Sequence, residues 1–272
     1  MKRFLSSTVM RNVPVNEQIF RLELTWSGSV PKAGQFFMLK PKRSGVFLPR
    51  PISVAFWKDN LVGFLIQRKG QGTQELSCLH PGEEAWLTGP LGNAWADFLP
   101  VVAGGEQSPG SKAQKVKPVA LIGGGAGIAP LLALNCELPG GGFNFYAGFK
   151  NSFGSQEEKN LLLEPVLAGS VQLVIAAEKT AGSGLNMDIR SGRIPEFLNP
   201  ENYAAVCACG PEAMLRIVAE KCAAAKVPCY VSLERYMACG AGACLGCTVK
   251  TTRGNRRCCA DGPVFPASEA LL

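Results

Sequence analysis

Three cysteines stand close together in "MACGAGACLGC", residues 237–247: Cys239, Cys244 and Cys247, spaced C-x4-C-x2-C. Thiolates at this spacing, completed by a fourth further along the chain, hold the iron atoms of plant-type [2Fe–2S] clusters. Two candidates for the fourth lie downstream, Cys258 and Cys259, the second of which opens "CADGPVF". Glycines at 240, 242 and 246 fill the gaps between the thiols. Amides that donate to cluster sulfurs must approach them closely, and glycine both permits a positive φ and removes the Cβ that would obstruct the approach. Structural zinc is the competing use of four cysteines. Such sites usually carry two separated C-x2-C pairs, whereas this segment has one, preceded by a four-residue gap. The cysteines at 78, 136, 207, 222 and 229 are scattered, and are expected to be buried small hydrophobes rather than ligands.

Two glycine-bearing turns suggest a nucleotide. "GGGAGIAP", residues 123–130, follows the apolar "PVALI" and opens a helical pattern. It is not G-x-G-x-x-G in either register: counted from Gly123 and Gly125 the third place holds Ile128, and counted from Gly125 and Gly127 it holds Pro130. A glycine turn at the start of a helix offers free N–H groups and a positive dipole end to a pyrophosphate, and Gly124 extends the same turn. "CACGPEAM" places Cys209, Gly210 and Pro211 at a second strand-to-helix turn. Taken singly, either turn reads equally well as packing or as an ordinary helix start. The acidic residue expected about twenty positions after the first turn is absent; "YAGFKNS" offers Lys150 instead, which does not distinguish NADH from NADPH.

Nearer the N-terminus, "LPRPISV" combines Arg50 with Ser53, and "RKGQGTQEL" adds a Gly-Thr turn at Gly72 and Thr73. An arginine can pair with one phosphate while the amides of such a turn cradle another. Ser53 can donate to a flavin ring nitrogen. Each motif alone is also what a surface arginine and a plain hairpin look like. His80, in "CLHPGE", is the one histidine of the chain and reads as a turn residue rather than a catalyst.

The elements that must position these groups are legible from patterning. With 272 residues, 47% hydrophobic and 18% charged, the chain reads as folded and long enough for two domains. The net charge of +7 comes with no run of Lys and Arg interleaved with aromatics, so nucleic-acid binding has little support. The basic N-terminus reaches only two apolar residues before Ser6, too few for a signal peptide, and the apolar run 119–134 carries four glycines and Pro130, which argues against a membrane span. A cytoplasmic chain is expected, where eleven cysteines do not form a disulfide framework. Residues 1–100 hold five strand-like stretches, 20–26, 34–41, 52–57, 60–68 and 84–90, with no convincing helix, as in a small antiparallel β-barrel. Residues 101–117, polar and rich in Gly, Ser and Lys, read as a linker or surface loop. From 118 to 228, strands alternate with helices, which implies a parallel sheet. From 229 to 272 the chain is rich in Cys and Gly and has little helical periodicity.

Taken in order, R-P-x-S, G-x-G-x-x-P and C-G-P resemble the ferredoxin–NADP reductase superfamily. The C-terminal "VSLERYMACGAGACLGC" with "CADGPVFPASE" narrows the likeness to the electron-transfer subunits of two-subunit, NAD-dependent (type 1B) dihydroorotate dehydrogenases. The resemblance implies FAD held by Arg50, Pro51, Ile52 and Ser53, with Leu65, Ile66 and Gln67 lining the flavin and Gly72 and Thr73 at its pyrophosphate. It implies a [2Fe–2S] cluster on Cys239, Cys244, Cys247 and Cys259, and NAD(H) received by Gly123, Gly124, Gly125, Gly127 and Pro130 and by Cys209, Gly210 and Pro211. It assigns 1–100 to FAD, 118–228 to NAD and 229–272 to the cluster. It further implies an FMN-containing catalytic subunit as partner, two copies of each, in pyrimidine (UMP) biosynthesis, with no acid–base residue of this chain in the chemistry. The sequence departs from the family at Gln67, where a basic residue is common, in the apparent insertion 101–117, and in "EKTAGSGLN" (178–186), a trace of an acidic loop. Reductase subunits of a hydrogenase, a sulfide dehydrogenase or a ferredoxin–NADP transhydrogenase share the three motifs, and a zinc-binding assembly module is the reading from a different class.

Overall fold

Apolar side chains recur at alternate positions through much of the first ninety residues, and the chain there runs as six strands: β1 (Leu5–Pro14), β2 (Ile19–Thr25), β3 (Phe36–Pro41), β4 (Arg50–Lys58), β5 (Leu61–Gln67) and β6 (Glu84–Leu91). In this computed structural model, which describes residues 4–99, 117–137, 142–151, 153–167, 172–179 and 189–272, they close into a barrel of order β1-β2-β5-β4-β3-β6 with every pairing antiparallel. Phe20, Leu22 and Leu24 of β2 and Val62 and Phe64 of β5 fill its interior beside Phe37 and Leu39. Burial of each such side chain stabilises by roughly 1.5–3 kcal/mol.

The barrel holds two elements that the sequence does not announce. β1 is a sixth strand in which only Ser7 and Val9 are buried, so its polar composition hides the alternation. A short helix, α1 (Gln71–Ser77), replaces the turn expected at Gly72 and Thr73. The Thr73 hydroxyl accepts from the N–H groups of Lys69 and Gly70 at 2.9 and 3.2 Å and donates to the Gly70 carbonyl at 2.9 Å, which folds the chain back into a helical turn. His80 does lie in a turn, where its N–H donates to the Glu83 carboxylate.

The rest of the described chain builds a second layer: β7 (Val119–Gly124), α2 (Ala129–Glu137), β8 (Phe143–Asn151), α3 (Gln156–Leu167), β9 (Gln172–Lys179), β10 (Ile189–Ser191), β11 (Ala205–Cys209), α4 (Glu212–Ala224), β12 (Cys229–Ser232), β13 (Thr248–Thr251), β14 (Gly254–Arg257) and β15 (Val264–Pro266). Seven strands form one sheet in the order β10-β9-β8-β7-β11-β12-β15, parallel except for the last pairing. Ala120, Leu121 and Ile122 of β7 and Val206, Cys207 and Ala208 of β11 are buried on both faces, as central strands of a covered parallel sheet must be. β13 and β14 form a separate hairpin. The change of composition at 229 does not coincide with the end of the sheet, because β12 and β15 complete it. The loop expected over 101–117 lies outside the described residues except for Lys117, as does "EKTAGSGLN" beyond Lys179. Cys207 and Cys222 are buried as expected and Cys229 is half-buried. Cys78 departs from the expectation: it caps the exposed end of α1 and is itself exposed. Among the described residues no helix is long and apolar enough to cross a membrane.

Trp95 and Asn93 are among the side chains that fasten the barrel to the sheet and its helices. The indole of Trp95, fully buried, donates to the carbonyl of Pro130 at 3.1 Å. The amide of Asn93 donates to the carbonyls of Asp261 and Val264 at 3.2 and 2.8 Å, and its oxygen accepts from the Val264 N–H at 2.9 Å. Trp95→Phe keeps most of the ring but removes the indole N–H donated to the Pro130 carbonyl. It is expected to cost about 0.5–1.5 kcal/mol for the lost bond, read as a lower denaturant midpoint at unchanged slope.

Candidate functional site

A cleft of about 960 Å³ opens between the barrel and the carboxyl ends of the sheet. The barrel side is lined by Arg50, Pro51, Ile52 and Ser53 on β4, Leu65, Ile66 and Gln67 at the end of β5, and Thr73 on α1. Gly72 sits behind this wall. A Cβ there would lie 2.4 Å from Arg50 Nε, so the guanidinium rests flat on the first turn of α1. Its Nη1 donates to the Leu48 carbonyl at 2.8 Å. A planar cation held over a helical turn whose Gln71 and Gly72 amides have no carbonyl one turn back offers the charge and the donors that a phosphate group requires.

On the sheet side the chain winds outward from β7 to β10 and returns to β11 on the other flank of β7. Open parallel sheets take ligands at the carboxyl ends of the two strands where the order reverses. Here those ends carry the two glycine turns, which touch backbone to backbone: a Cβ on Gly127 would lie 2.6 Å from the Cys209 carbonyl oxygen and 2.7 Å from Gly210 Cα. Gly125 adopts a φ of 56° and faces open space. Gly127, Pro130 and Cys209 line the cleft. Gly123 and Gly124 end β7 beneath it, and Gly210 and Pro211 stack on Gly124. The structure thus brings both turns to one place, with part of each supporting the other rather than facing the cavity.

A third wall holds none of the site residues named from the sequence, although its stretch carries part of the family likeness. Ser232, Leu233, Glu234, Arg235, Tyr236 and Met237 follow the end of β12 and close the cleft. Two signals point to them: their place at the end of a strand of the parallel sheet, where ligand-binding residues collect, and their inclusion in "VSLERYMACGAGACLGC". Glu234 opens to the solvent of the cleft, yet the surrounding protein desolvates its carboxyl and pushes it above the usual carboxylate range, with Lys69 opposing. Burial, reinforced by Glu234, pushes the Cys209 thiol well up, so it stays neutral.

The third wall runs on into the cysteine loop, where Gly240, Gly242 and Leu245 take positive φ of 64°, 78° and 59°. Gly240 admits no Cβ, which would sit 2.7 Å from Met38 Cγ on the outer face of β3. Amides aim at the sulfurs. Ala241 and Cys244 N–H donate to Cys239 Sγ at 3.4 Å each, Gly242 N–H to Cys259 Sγ at 3.1 Å, and Cys259 N–H to Cys247 Sγ at 3.4 Å. The donors on Cys239, Ala241 first, draw its thiol down to about 6. The thiols form two couples. Cys239 and Cys244, both exposed, interact with each other, and so do the buried Cys247 and Cys259. Burial first and the neighbouring Cys247 second push Cys259 up to about 12. Cys258 turns away, its thiol donating to the Leu233 carbonyl at 3.1 Å. Among the described residues no three Cys, His, Asp or Glu side chains converge on one ion. Two couples with amide donors suit a two-iron cluster better than a single tetrahedral metal.

Residues 234–271 match the family model described as the iron–sulfur cluster binding domain of dihydroorotate dehydrogenase B. The electron transfer subunit of dihydroorotate dehydrogenase B (NAD(+)) from Clostridium acetobutylicum is 33% identical over 272 residues, covering 100% of this chain and 98% of that one. Its namesake from Clostridium perfringens is 35% identical over 270 residues, 98% and 97% of the two chains. In fold, the chain is similar to an NADH-dependent reduced ferredoxin–NADP oxidoreductase (TM-score 0.73, 24% identity, 99% of this chain and 91% of that one). It is also similar to the ferredoxin NADP+ reductase of Neisseria gonorrhoeae solved with FAD and NADP (TM-score 0.60, 16% identity, 88% and 96%). With its whole length matched above 30% identity, this chain belongs to the family of electron-transfer subunits of NAD-dependent dihydroorotate dehydrogenase B.

Proposed function

We propose that this chain passes electrons between NAD+ and a dihydroorotate dehydrogenase catalytic subunit, in pyrimidine (UMP) biosynthesis, with FAD in the cleft and a [2Fe–2S] cluster in the cysteine loop. The observation that carries this reading is continuity: the wall of the cleft from Ser232 to Met237 leads within two residues to Cys239. FAD, when bound, exchanges a hydride with the nicotinamide and single electrons with the cluster, which is why both groups belong on one chain.

The chain's own residues bind, orient and insulate. Arg50 and the first turn of α1 hold the flavin pyrophosphate, and Gly72 keeps the guanidinium flat against that turn. Ser53 donates to the ring system, which lies among Pro51, Ile52, Leu65, Ile66 and Gln67. Thr73, whose hydroxyl is fully engaged with residues 69–70, shapes the loop rather than touching phosphate. The nicotinamide nucleotide enters over the paired turns 123–130 and 209–211. Cys239, Cys244, Cys247 and Cys259 ligate the cluster, the exposed couple toward solvent and the buried couple toward the protein. In these terms 1–100 serves FAD, 118–228 serves NAD, and 229–272 serves the cluster while sharing the sheet. The partner carries FMN, and the assembly holds two copies of each subunit.

Anaerobic co-purification with the catalytic subunit is expected to give dihydroorotate-dependent reduction of NAD+. Cys259→Ser should abolish it with loss of iron and acid-labile sulfide, whereas Cys258→Ser should keep both; equal behaviour of the two variants would undo the ligand assignment, and transfer from hydrogen or sulfide instead would move the chain to another partner. Arg50→Ala removes one charge-assisted phosphate contact, of about 1.5–3 kcal/mol, and is expected to weaken FAD binding by about 10- to 100-fold by fluorescence titration. In cluster-free protein Cys239 should alkylate with a rate that rises with pH as the thiolate forms and is half-maximal near pH 6, against about 8.5 for an ordinary thiol, by peptide mass mapping.

A further inference from the structure

The turn that carries the two adjacent cysteines is closed by an ion pair. Arg257 Nε and Nη2 reach Asp261 Oδ2 and Oδ1 at 3.1 and 3.0 Å, and the Arg257 N–H donates to Oδ2 at 2.7 Å. In return the N–H groups of Asp261 and Ala260 donate to the Arg257 carbonyl at 2.8 and 3.1 Å. Cys258 and Cys259 lie inside this loop of contacts. The same guanidinium reaches across to the cysteine loop, where Nη1 donates to the Gly242 carbonyl at 3.3 Å. Gly242 takes a φ of 78°, and a Cβ there would lie 2.9 Å from Ala260 Cβ and 3.1 Å from Nη1, so glycine suits this close approach. Gly242 is also the residue whose N–H donates to Cys259 Sγ.

We propose that Arg257 and Asp261 are a positioning pair that turns Cys259, and not Cys258, toward the cysteine loop and sets the charge environment of the cluster's buried end. The inference rests on the proposed ligation by Cys239, Cys244, Cys247 and Cys259. A half-exposed ion pair contributes little to stability on its own account, and its side chains here are 41% and 25% exposed. The value of this pair is geometric. Two adjacent side chains in a turn point different ways, and the choice between them follows the twist of that turn. With Arg257 tied to Asp261 at both main chain and side chain, the twist that sends Cys258 to the Leu233 carbonyl leaves Cys259 facing Gly242. The cation on the Gly242 carbonyl polarises the 242–243 peptide, whose Ala243 N–H acts on Cys239, and a fixed positive charge favours the reduced, more negative state of the cluster.

The test uses the full chain purified anaerobically with its catalytic partner. Arg257→Gln is expected to keep its FAD while the cluster midpoint, followed by paramagnetic resonance during redox titration, shifts downward with altered g-values. Arg257→Lys, which keeps the charge but cannot span both Asp261 oxygens and the Gly242 carbonyl, should recover only part of the shift. Asp261→Asn is expected to lose iron and sulfide several-fold, with flavin retained. Arg257→Gln with the parent midpoint and spectrum overturns the proposal. Should that variant fail to assemble, Asp261→Asn with parent iron content, spectrum and midpoint overturns it equally. Absence of acid-labile sulfide from the parent protein would instead sink the cluster reading on which the proposal stands.

Discussion

The stretch from Ser232 to Cys239 has to serve two sites at once, as one wall of the cleft and as the entry to the thiol loop. A segment that short transmits any displacement at one end to the other, so its anchorage constrains the rest of the molecule. The anchors are main-chain ones. β12 pairs with β11 on one side and β15 on the other, and Leu233 N–H donates to the Pro263 carbonyl at 2.9 Å. Pro263 is itself tied to the barrel through Asn93 and its neighbours 261, 262 and 264. The cysteine loop then leans on β3 through the close contact of Gly240 with Met38. Barrel, sheet and loop therefore share one rigid junction, and the space between them is what a flavin and a relay next to it would need.

Electrostatics at the two ends of that junction differ in kind. In the cleft, burial keeps Cys209 a neutral thiol and holds Glu234 above the usual carboxylate range. In the loop, amide donors draw the exposed Cys239 in the opposite direction. Desolvation suits a place where a neutral ring must lie, and donated hydrogen bonds suit a place where sulfur must stay anionic. The chain achieves the second with backbone, which demands left-handed conformations. Leu245 accepts such a conformation without being glycine, at a cost of roughly 1–2 kcal/mol, between the exposed Cys244 and Gly246.

Much of this is legible in the sequence. Alternation in "FRLELTW" and "NLVGFLIQR" announces barrel strands, and glycine turns after apolar strands announce the sheet's ligand edge. The spacing of Cys239, Cys244 and Cys247 announces the cluster loop. β1 was hidden because polar residues occupy most of its positions, and α1 because Gly72 and Thr73 look like a turn until the Thr73 hydroxyl is seen folding the chain back on Gly70. The wall from Ser232 to Met237 lies within the stretch that carries the family likeness, but no residue type in it announces a cavity; its place after a parallel strand does. The choice between Cys258 and Cys259 cannot be made from two identical neighbours. It is a matter of turn twist, and the Leu233 carbonyl and the Gly242 amide supply the difference.

The antiparallel strand β15 ends the sheet, and its outward backbone is already spoken for. Both the N–H and the carbonyl of Val264 are bonded by the side chain of Asn93, and Pro266 has no N–H to offer. An uncovered strand edge invites another chain to add itself and seeds aggregation. Here a single carboxamide from the barrel stands in for the missing neighbour. Any protein approaching this flank meets side chains rather than a template, so recognition there depends on surface shape and chemistry and not on strand addition.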